Sequence, residues 1–246
     1  MFNHVCALLC LIALSSPGVA AAQAPAPPPT HEETFEAAYV GVSGNAQSNT
    51  FGLGADIIAR PGAWIFRHKA SFVRNESNDV LIAKAFDYTA RAQKTFTPHS
   101  AAFVEYTFFR DRFAGVARRN GVTAGLAFKA VNSDQQTLGV DVGFGYLNER
   151  RLAGANLSSG SYLLGTAYKL KLSDAVELSD ELTLAGVFSE GDNWRLAHGV
   201  ALTTRLAAGL SVKVSHSMRY ANLPPAGFKR TDAVMSVALV AKFAHP

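Results

Sequence analysis

The sequence predicts an all-β fold, a transmembrane antiparallel up-and-down β-barrel of about twelve strands, and three observations predict it. Alternating runs of roughly ten or more residues recur from Glu33 to the end of the chain. The turns between them are longer at every second position. The chain opens on a short apolar stretch that ends in small residues. A period of two makes a strand with two unlike faces. "LSVKVSHSMRY" (210–220) places Leu210, Val212, Val214, His216, Met218 and Tyr220 on one face, and Ser211, Lys213, Ser215, Ser217 and Arg219 on the other. Soluble strands usually run about five or six residues, whereas a tilted strand crossing a bilayer needs about nine to eleven.

The chain has 246 residues, 48% hydrophobic and 17% charged, with 20 glycines. This suits one sizeable domain and excludes a disordered chain. "VCALLCLIALSSPGVAAAQA" reads as a secretory signal peptide over residues 1–22, too short to span a membrane as a helix, with cleavage near Ala22. Cys6 and Cys10, the two cysteines, lie inside it. A lipoprotein signal at Cys10 is disfavoured by the short apolar stretch before it. The mature chain then has no cysteine, which excludes disulfides, thiol catalysis and thiolate metal sites. Residues 23–32, within "QAPAPPPTHEE", read as a stiff proline-rich linker, and residues 33–246 as the barrel.

The runs follow in order. Glu33 to Val42 is separated by "SGNAQSN" from Thr50 to Arg60, which "PGA" joins to Trp64 to Arg74. "NESND" leads to Val80 to Lys94, "TFTPHS" to Ala101 to Arg110, and "DRFAGVAR" to Arg119 to Ala130. After "VNSDQ", Gln136 to Asn148 alternates Leu138, Val140, Val142, Phe144 and Tyr146 with Thr137, Gly139, Asp141, Gly143 and Gly145. After "ERRLAGANLSSG", Ser161 to Leu172 alternates Tyr162, Leu164 and Tyr168 with Gly165, Lys169 and Lys171. "SDA" and "SEGDN" bound Val176 to Phe188, Trp194 to Leu206 follows, and "AAG" opens Leu210 to Ala221. "NLPPAGFKRT" precedes Asp232 to Phe243, which sets Ala233, Met235, Val237, Leu239, Ala241 and Phe243 on one side. Long loops at one end, tight turns at the other, and aromatics near run ends (Trp64, Tyr88, Phe128, Tyr146, Trp194, Tyr220, Phe243) are the marks of an outer-membrane barrel. The apolar face is therefore expected to meet lipid.

"VSGNAQSNTFGLGAD", "RDRFAG", "VDVGFGYLNER", "GDNWRL" and "PPAGFKRTDAVMSVALVAKF" resemble the pattern of the salt-induced outer membrane protein family, domain of unknown function 481, over nearly the whole mature chain. The likeness includes the Gly44-Asn45 hairpin and the Thr231-Asp232 entry to the last strand. It implies an outer-membrane barrel of a Gram-negative bacterium, inserted by barrel-assembly machinery. It brings no activity or catalytic residue, and its salt-response label describes expression rather than mechanism. Such barrels commonly finish on an aromatic, whereas here Ala244, His245 and Pro246 follow Phe243.

About twelve tilted strands give a backbone radius of roughly 12 Å, which inward side chains reduce to a narrow bore. The inward phase carries Arg67, Lys69, Arg91, Lys129, Lys169, Lys171, Arg195, Arg205, Lys213, Arg219 and Lys242 against Asp56, Asp87, Glu105, Asp141, Glu177 and Glu181. A basic lumen concentrates small anions and gives a weakly anion-preferring diffusion channel. The same charges, paired across the lumen, would plug it. A second basic group, Arg74, Arg110, Arg112, Arg118, Arg119, Arg150, Arg151, Lys229 and Arg230, falls at the end assigned as external, either as a solvated rim or as a surface for lipopolysaccharide phosphates.

Enzyme chemistry finds little support. Same-face neighbours on a strand lie two residues apart, and those of His198 and His216 are Val200, Val214 and Met218 rather than serine. An outer-membrane lipid hydrolase is thus the least favoured reading. Metal and cofactor patterns are absent, and nucleic acid is an unsuitable partner for an exported barrel. His198 and His216 fall on the outward phase of neighbouring strands, as neutral histidines or as a protomer contact. The sequence reading is a narrow channel with weak anion preference, tied to salt or envelope stress by the family label. A non-conducting structural or lipopolysaccharide-contacting protein is the alternative, with the oligomeric state left open.

Overall fold

The computed structural model describes residues 29–42 and 48–245. It contains β1 (His31–Val42), β2 (Ser48–Ala59), β3 (Trp64–Ser77), β4 (Val80–Thr97), β5 (Ser100–Asp111), β6 (Val116–Asn132), β7 (Gln136–Arg151), β8 (Leu157–Lys171), β9 (Val176–Val187), β10 (Trp194–Ala207), β11 (Leu210–Ala221) and β12 (Thr231–His245). Every strand pairs antiparallel with its sequence neighbours and β12 closes on β1, so the sheet is a closed up-and-down barrel. Closure removes the exposed edges that a flat sheet of this size would present. The expected signal peptide, most of the linker, the Gly44-Asn45 hairpin and Pro246 lie outside the described residues.

The strands run from 12 to 18 residues and absorb segments that the sequence reading gave to loops. β1 begins at His31 rather than Glu33, β6 already at Val116, and β7 runs on to Arg151. In a closed barrel each backbone has a ladder partner on both sides, so a strand continues past its apolar stretch as long as its neighbours do. The connections contract accordingly. At one end they are 78–79, 112–115, 152–156, 188–193 and 222–230; at the other, 60–63, 98–99, 133–135, 172–175 and 208–209. The difference between the ends therefore rests on the later loops, above all 222–230. Both termini of the barrel lie at the short-turn end.

Two turns show why their residues are there. Asn78 and Asp79 have φ of 49° and 61° and form a two-residue hairpin, and these are the non-glycine residues that tolerate positive φ best. Gly115 has φ of 77°, and a Cβ built on it would lie 2.6 Å from the Phe228 ring. Glycine there lets loop 222–230 pack down onto loop 112–115.

The two faces differ as a bilayer requires. Outside are Phe35, Leu53, Phe66, Val104, Leu126, Phe144, Leu164, Leu202, Met235 and Leu239, all exposed. Ring pairs lie toward each end: Trp64 with Phe66 (centroids 5.9 Å) and Phe35 with Phe243 (6.5 Å) near the short turns, Tyr162 with Phe188 (5.7 Å) and Trp194 with Tyr220 (5.2 Å) near the long loops. Such girdles suit the interfaces of a membrane. Inside, polar and charged side chains meet across the barrel. An apolar exterior around an ion-paired interior is the arrangement of a barrel that spans a bilayer.

Apolar side chains are buried inside as well: Val116, Leu157, Val187, Val240 and, the largest of them, Phe103. Phe103, 3% exposed, lies over Gly125 and Gly143, and a Cβ on Gly125 would approach its ring to 2.8 Å and the Val142 carbonyl oxygen to 2.2 Å. The Arg91 guanidinium stacks on its inner face at 3.8 Å from the ring centroid. The glycines thin the wall so that an aromatic ring and a cation fit within the bore.

Candidate channel lumen

The interior charges form four tiers. Near the short turns, Glu32 receives Arg60 Nη1 at 2.6 Å and Lys242 Nζ at 2.7 Å. Higher up, Arg67 forks onto Asp56 (2.8 and 2.6 Å), Lys213 Nζ donates to both oxygens of Glu36 (2.7 and 2.9 Å), and Arg91 Nη1 bridges Asp141 (2.5 Å) and Glu105 (3.5 Å). These pairs run largely along the wall.

The third tier crosses the bore. Lys69 Nζ on β3 meets Glu181 Oε2 on β9 at 3.0 Å, and these strands are six apart in a ring of twelve, on opposite sides. Arg219 Nη2 on β11 meets Asp87 Oδ2 on β4 at 2.6 Å. These two pairs span the interior rather than run along the wall.

The fourth tier lies beneath the long loops. Glu149, 1% exposed, receives Arg119 Nε at 2.5 Å and Arg195 Nη2 at 3.1 Å on Oε2, and Arg151 Nε at 2.7 Å on Oε1. Arg119, Glu149, Arg195 and Arg219 line a cavity of about 480 Å³ that Leu223, Pro224, Pro225, Lys229 and Arg230 border from loop 222–230. A second guanidinium, that of Arg219, shares the Phe109 ring with Arg119, each 5.1 Å from its centroid.

All nine residues expected in the lumen, Arg67, Lys69, Asp141, Lys169, Lys171, Arg195, Arg205, Lys213 and Arg219, lie on the inward phase of their strands. Six of them join the ion pairs above. Lys169, Lys171 and Arg205, with Lys129, are exposed at the short-turn mouth and have no carboxylate within 4.0 Å among the described residues. The sequence reading missed Glu32, Glu36, Arg60 and Glu149. Each sits on a continuation of the same period: two steps of two from Gly145 reach Glu149.

The expected rim divides into three. Arg112 lies in loop 112–115, and Arg110, Arg118 and Arg150 are exposed on the outer phase, Arg118 directly opposite Arg150 with Arg110 at the adjacent β5 bulge. Lys229 and Arg230 border the cavity. Arg119 and Arg151 are not on the rim: they turn inward onto Glu149, because β6 and β7 extend past the apolar runs and keep their alternation. Arg74 is paired with Glu76. His198 and His216 lie on the outer phase as diagonal neighbours, His216 opposite Val200. His198 Nε2 bonds Asp180 Oδ2 at 2.8 Å, so a partner within the same barrel satisfies it. Among the described residues no group of three or more His, Asp or Glu could hold a metal ion.

Solved structures share this architecture. An outer membrane channel from Pseudomonas putida F1 is similar in fold at 10% identity, covering 89% of this chain and 97% of that one with a TM-score of 0.52. The NanC porin is 9% identical over 87% of this chain and 99% of its own, with a TM-score of 0.49. The KdgM porin, in a structure in complex with disordered oligogalacturonate, is 11% identical with the same coverage and a TM-score of 0.47. No curated protein matches the sequence. The family described as "Protein of unknown function, DUF481" matches residues 35–243, nearly the whole barrel, and the chain belongs to that family.

Proposed function

We propose that this barrel is a narrow, water-filled diffusion channel of the outer membrane with a weak preference for anions, exported by a signal peptide over residues 1–22. The observation that carries this reading is the exposure of the pair that crosses the bore: the side chains of Lys69 and Glu181 are 47% and 48% exposed. A dry plug would bury such a pair, because charges packed across a closed lumen lose their water. Half-exposed charges in a bore are hydrated charges. Weak anion preference follows from the four unpaired cations at the short-turn mouth, offset in part by Glu177 opposite Lys171, because their field in a low-dielectric wall is only partly screened.

A planar bilayer tests it. In Lys69→Ser, the bridge is gone and a shorter side chain remains, so single-channel conductance should rise by up to roughly twofold while Glu181 lowers the anion preference. Unchanged conductance would place the constriction elsewhere.

One observation favours an additional role in contact with lipopolysaccharide. Arg118 and Arg150 are directly opposite on the outer face, an arrangement that repels unless an anion lies between them. Arg118→Ser/Arg150→Ser should then leave the folded barrel intact but raise the detergent sensitivity of cells expressing it, measured against the wild-type barrel. Equal sensitivity would remove this role and leave the arginines as a solvated rim.

A further inference from the structure

We infer that the vestibule beneath loop 222–230 is a binding site for a soluble polyanion carrying carboxylate or phosphate groups; the inference rests on the reading of the lumen as a passage that solute enters. Three guanidiniums, those of Arg119, Arg151 and Arg195, converge on the single carboxylate of Glu149. A cluster of three cations and one anion carries an excess of two positive charges in a part-buried space. Like charges held this close repel, and a further anion offsets the repulsion.

The arrangement has donor capacity left over. Arg151 Nη2 is buried without a hydrogen-bond partner and Arg151 does not border the cavity, so the donors open to a solute are those of Arg195, Lys229 and Arg230. Both Glu149 oxygens already accept from arginine, so the carboxylate is committed. Across the cavity, Arg219 is held by Asp87 and by the Phe109 ring, which fixes its guanidinium facing the cluster. Lys229 and Arg230 close the same space from the loop, with no carboxylate within 4.0 Å among the described residues. The acids lining the cavity are Asp87, Glu105, Asp141, Glu149, Glu181 and Asp232, all but Asp232 engaged by an arginine or lysine of the barrel.

The shape selects the ligand. The cavity runs from Arg67, Glu105 and Glu181 up to the loop with a volume of about 480 Å³, and its upper part admits a small organic anion with its water. Its roof, Leu223, Pro224 and Pro225, with Pro225 buried, separates it from the outer face, which excludes a lipid headgroup still attached to its membrane. Guanidinium forks match planar carboxylates and phosphates by two hydrogen bonds at once, and a single chloride uses neither the fork nor the separation between Arg195 and the loop cations.

Citrate and inorganic phosphate are the probes, titrated by calorimetry into the folded mature chain in detergent at constant ionic strength against chloride. Saturable citrate binding is expected, weakened by about tenfold or more in Arg195→Gln, since each lost charge-assisted hydrogen bond is worth more than a neutral one. Should Arg195→Gln fail to fold, the variant Lys229→Gln/Arg230→Gln, whose positions lie in loop 222–230 outside the strands, should weaken binding by a similar factor. Lys171→Gln, at the opposite mouth, should leave it unchanged. Absence of saturable heat from either probe with the folded wild-type barrel, or binding that the loop variant does not change, would overturn the site. Binding by a barrel that passes no current would retain the site and overturn the channel, whereas current without binding would do the reverse.

Discussion

Replacing Glu149 by alanine is expected to destabilise the folded barrel by about 3–5 kcal/mol, the cost of removing one partner from a buried ionic cluster. The carboxylate is 1% exposed and is shared by Arg119, Arg151 and Arg195 from three strands, β6, β7 and β10. Without it, three guanidiniums face one another with no anion of the chain between them. Urea-induced unfolding in lipid vesicles, followed by loss of the heat-modifiable band, measures the effect. Glu149→Gln keeps the shape and an acceptor oxygen and should lose less. Equal stability of Glu149→Ala and wild type would mean that solvent, rather than the carboxylate, neutralises the cluster.

The second large effect concerns the wall between β6 and β7. A Cβ added at Gly145 would lie 2.0 Å from the Val122 carbonyl oxygen and 2.8 Å from the Thr123 Cα. Both are backbone atoms of a ladder that cannot yield without breaking its hydrogen bonds. Gly145→Ala is therefore expected to cost about 3 kcal/mol or more, at or beyond the upper end of ordinary overpacking. Gly199→Ala, where a Cβ would meet nothing within 4 Å, is the matched control and should fold as the wild type does. The comparison separates a packing requirement from the general weakness of glycine in strands. If both variants fold equally well, the close approach of β6 and β7 is not needed for assembly.

How far the sequence reaches can be judged from the same residues. The barrel was legible because period two survives along whole strands: Leu138, Val140, Val142, Phe144 and Tyr146 lie outside and Gly139, Asp141, Gly143 and Gly145 inside, as one alternating run requires. The strand ends were not legible, because past the apolar residues the reading turned from periodicity to composition. By composition "ERR" (149–151) reads as the start of a loop. It is strand, held by the ladder to β6, and its alternation puts Glu149 and Arg151 inside and Arg150 outside. The same step of two from Thr123 through Gly121 sends Arg119 inward, while Arg118 stays out. Pairings across the bore were beyond any local pattern. Lys69 and Glu181 are 112 residues apart and meet only because closure places β3 opposite β9. Asp180 was missed as the partner of His198 because an acid on the outward phase contradicts the expectation for a lipid-facing strand.

The lumen decides the account, and two physical effects compete in it. Pairing fixes most interior charges, which would lower selectivity and narrow the bore; on the proposed reading, hydration of the crossing pair keeps it open. The excess is left to Lys129, Lys169, Lys171 and Arg205 at the short-turn mouth, where no described carboxylate lies within 4.0 Å. Selectivity should therefore be weak and fall with ionic strength, as a screened surface field does.

Single-channel recording of the refolded mature chain in a planar bilayer, with the reversal potential taken under a potassium chloride gradient, tests this most directly. Small, steady current steps are expected, with a reversal potential displaced modestly toward that of chloride and the displacement reduced in Lys169→Gln/Lys171→Gln. A folded, heat-modifiable barrel that inserts and passes no current would contradict it.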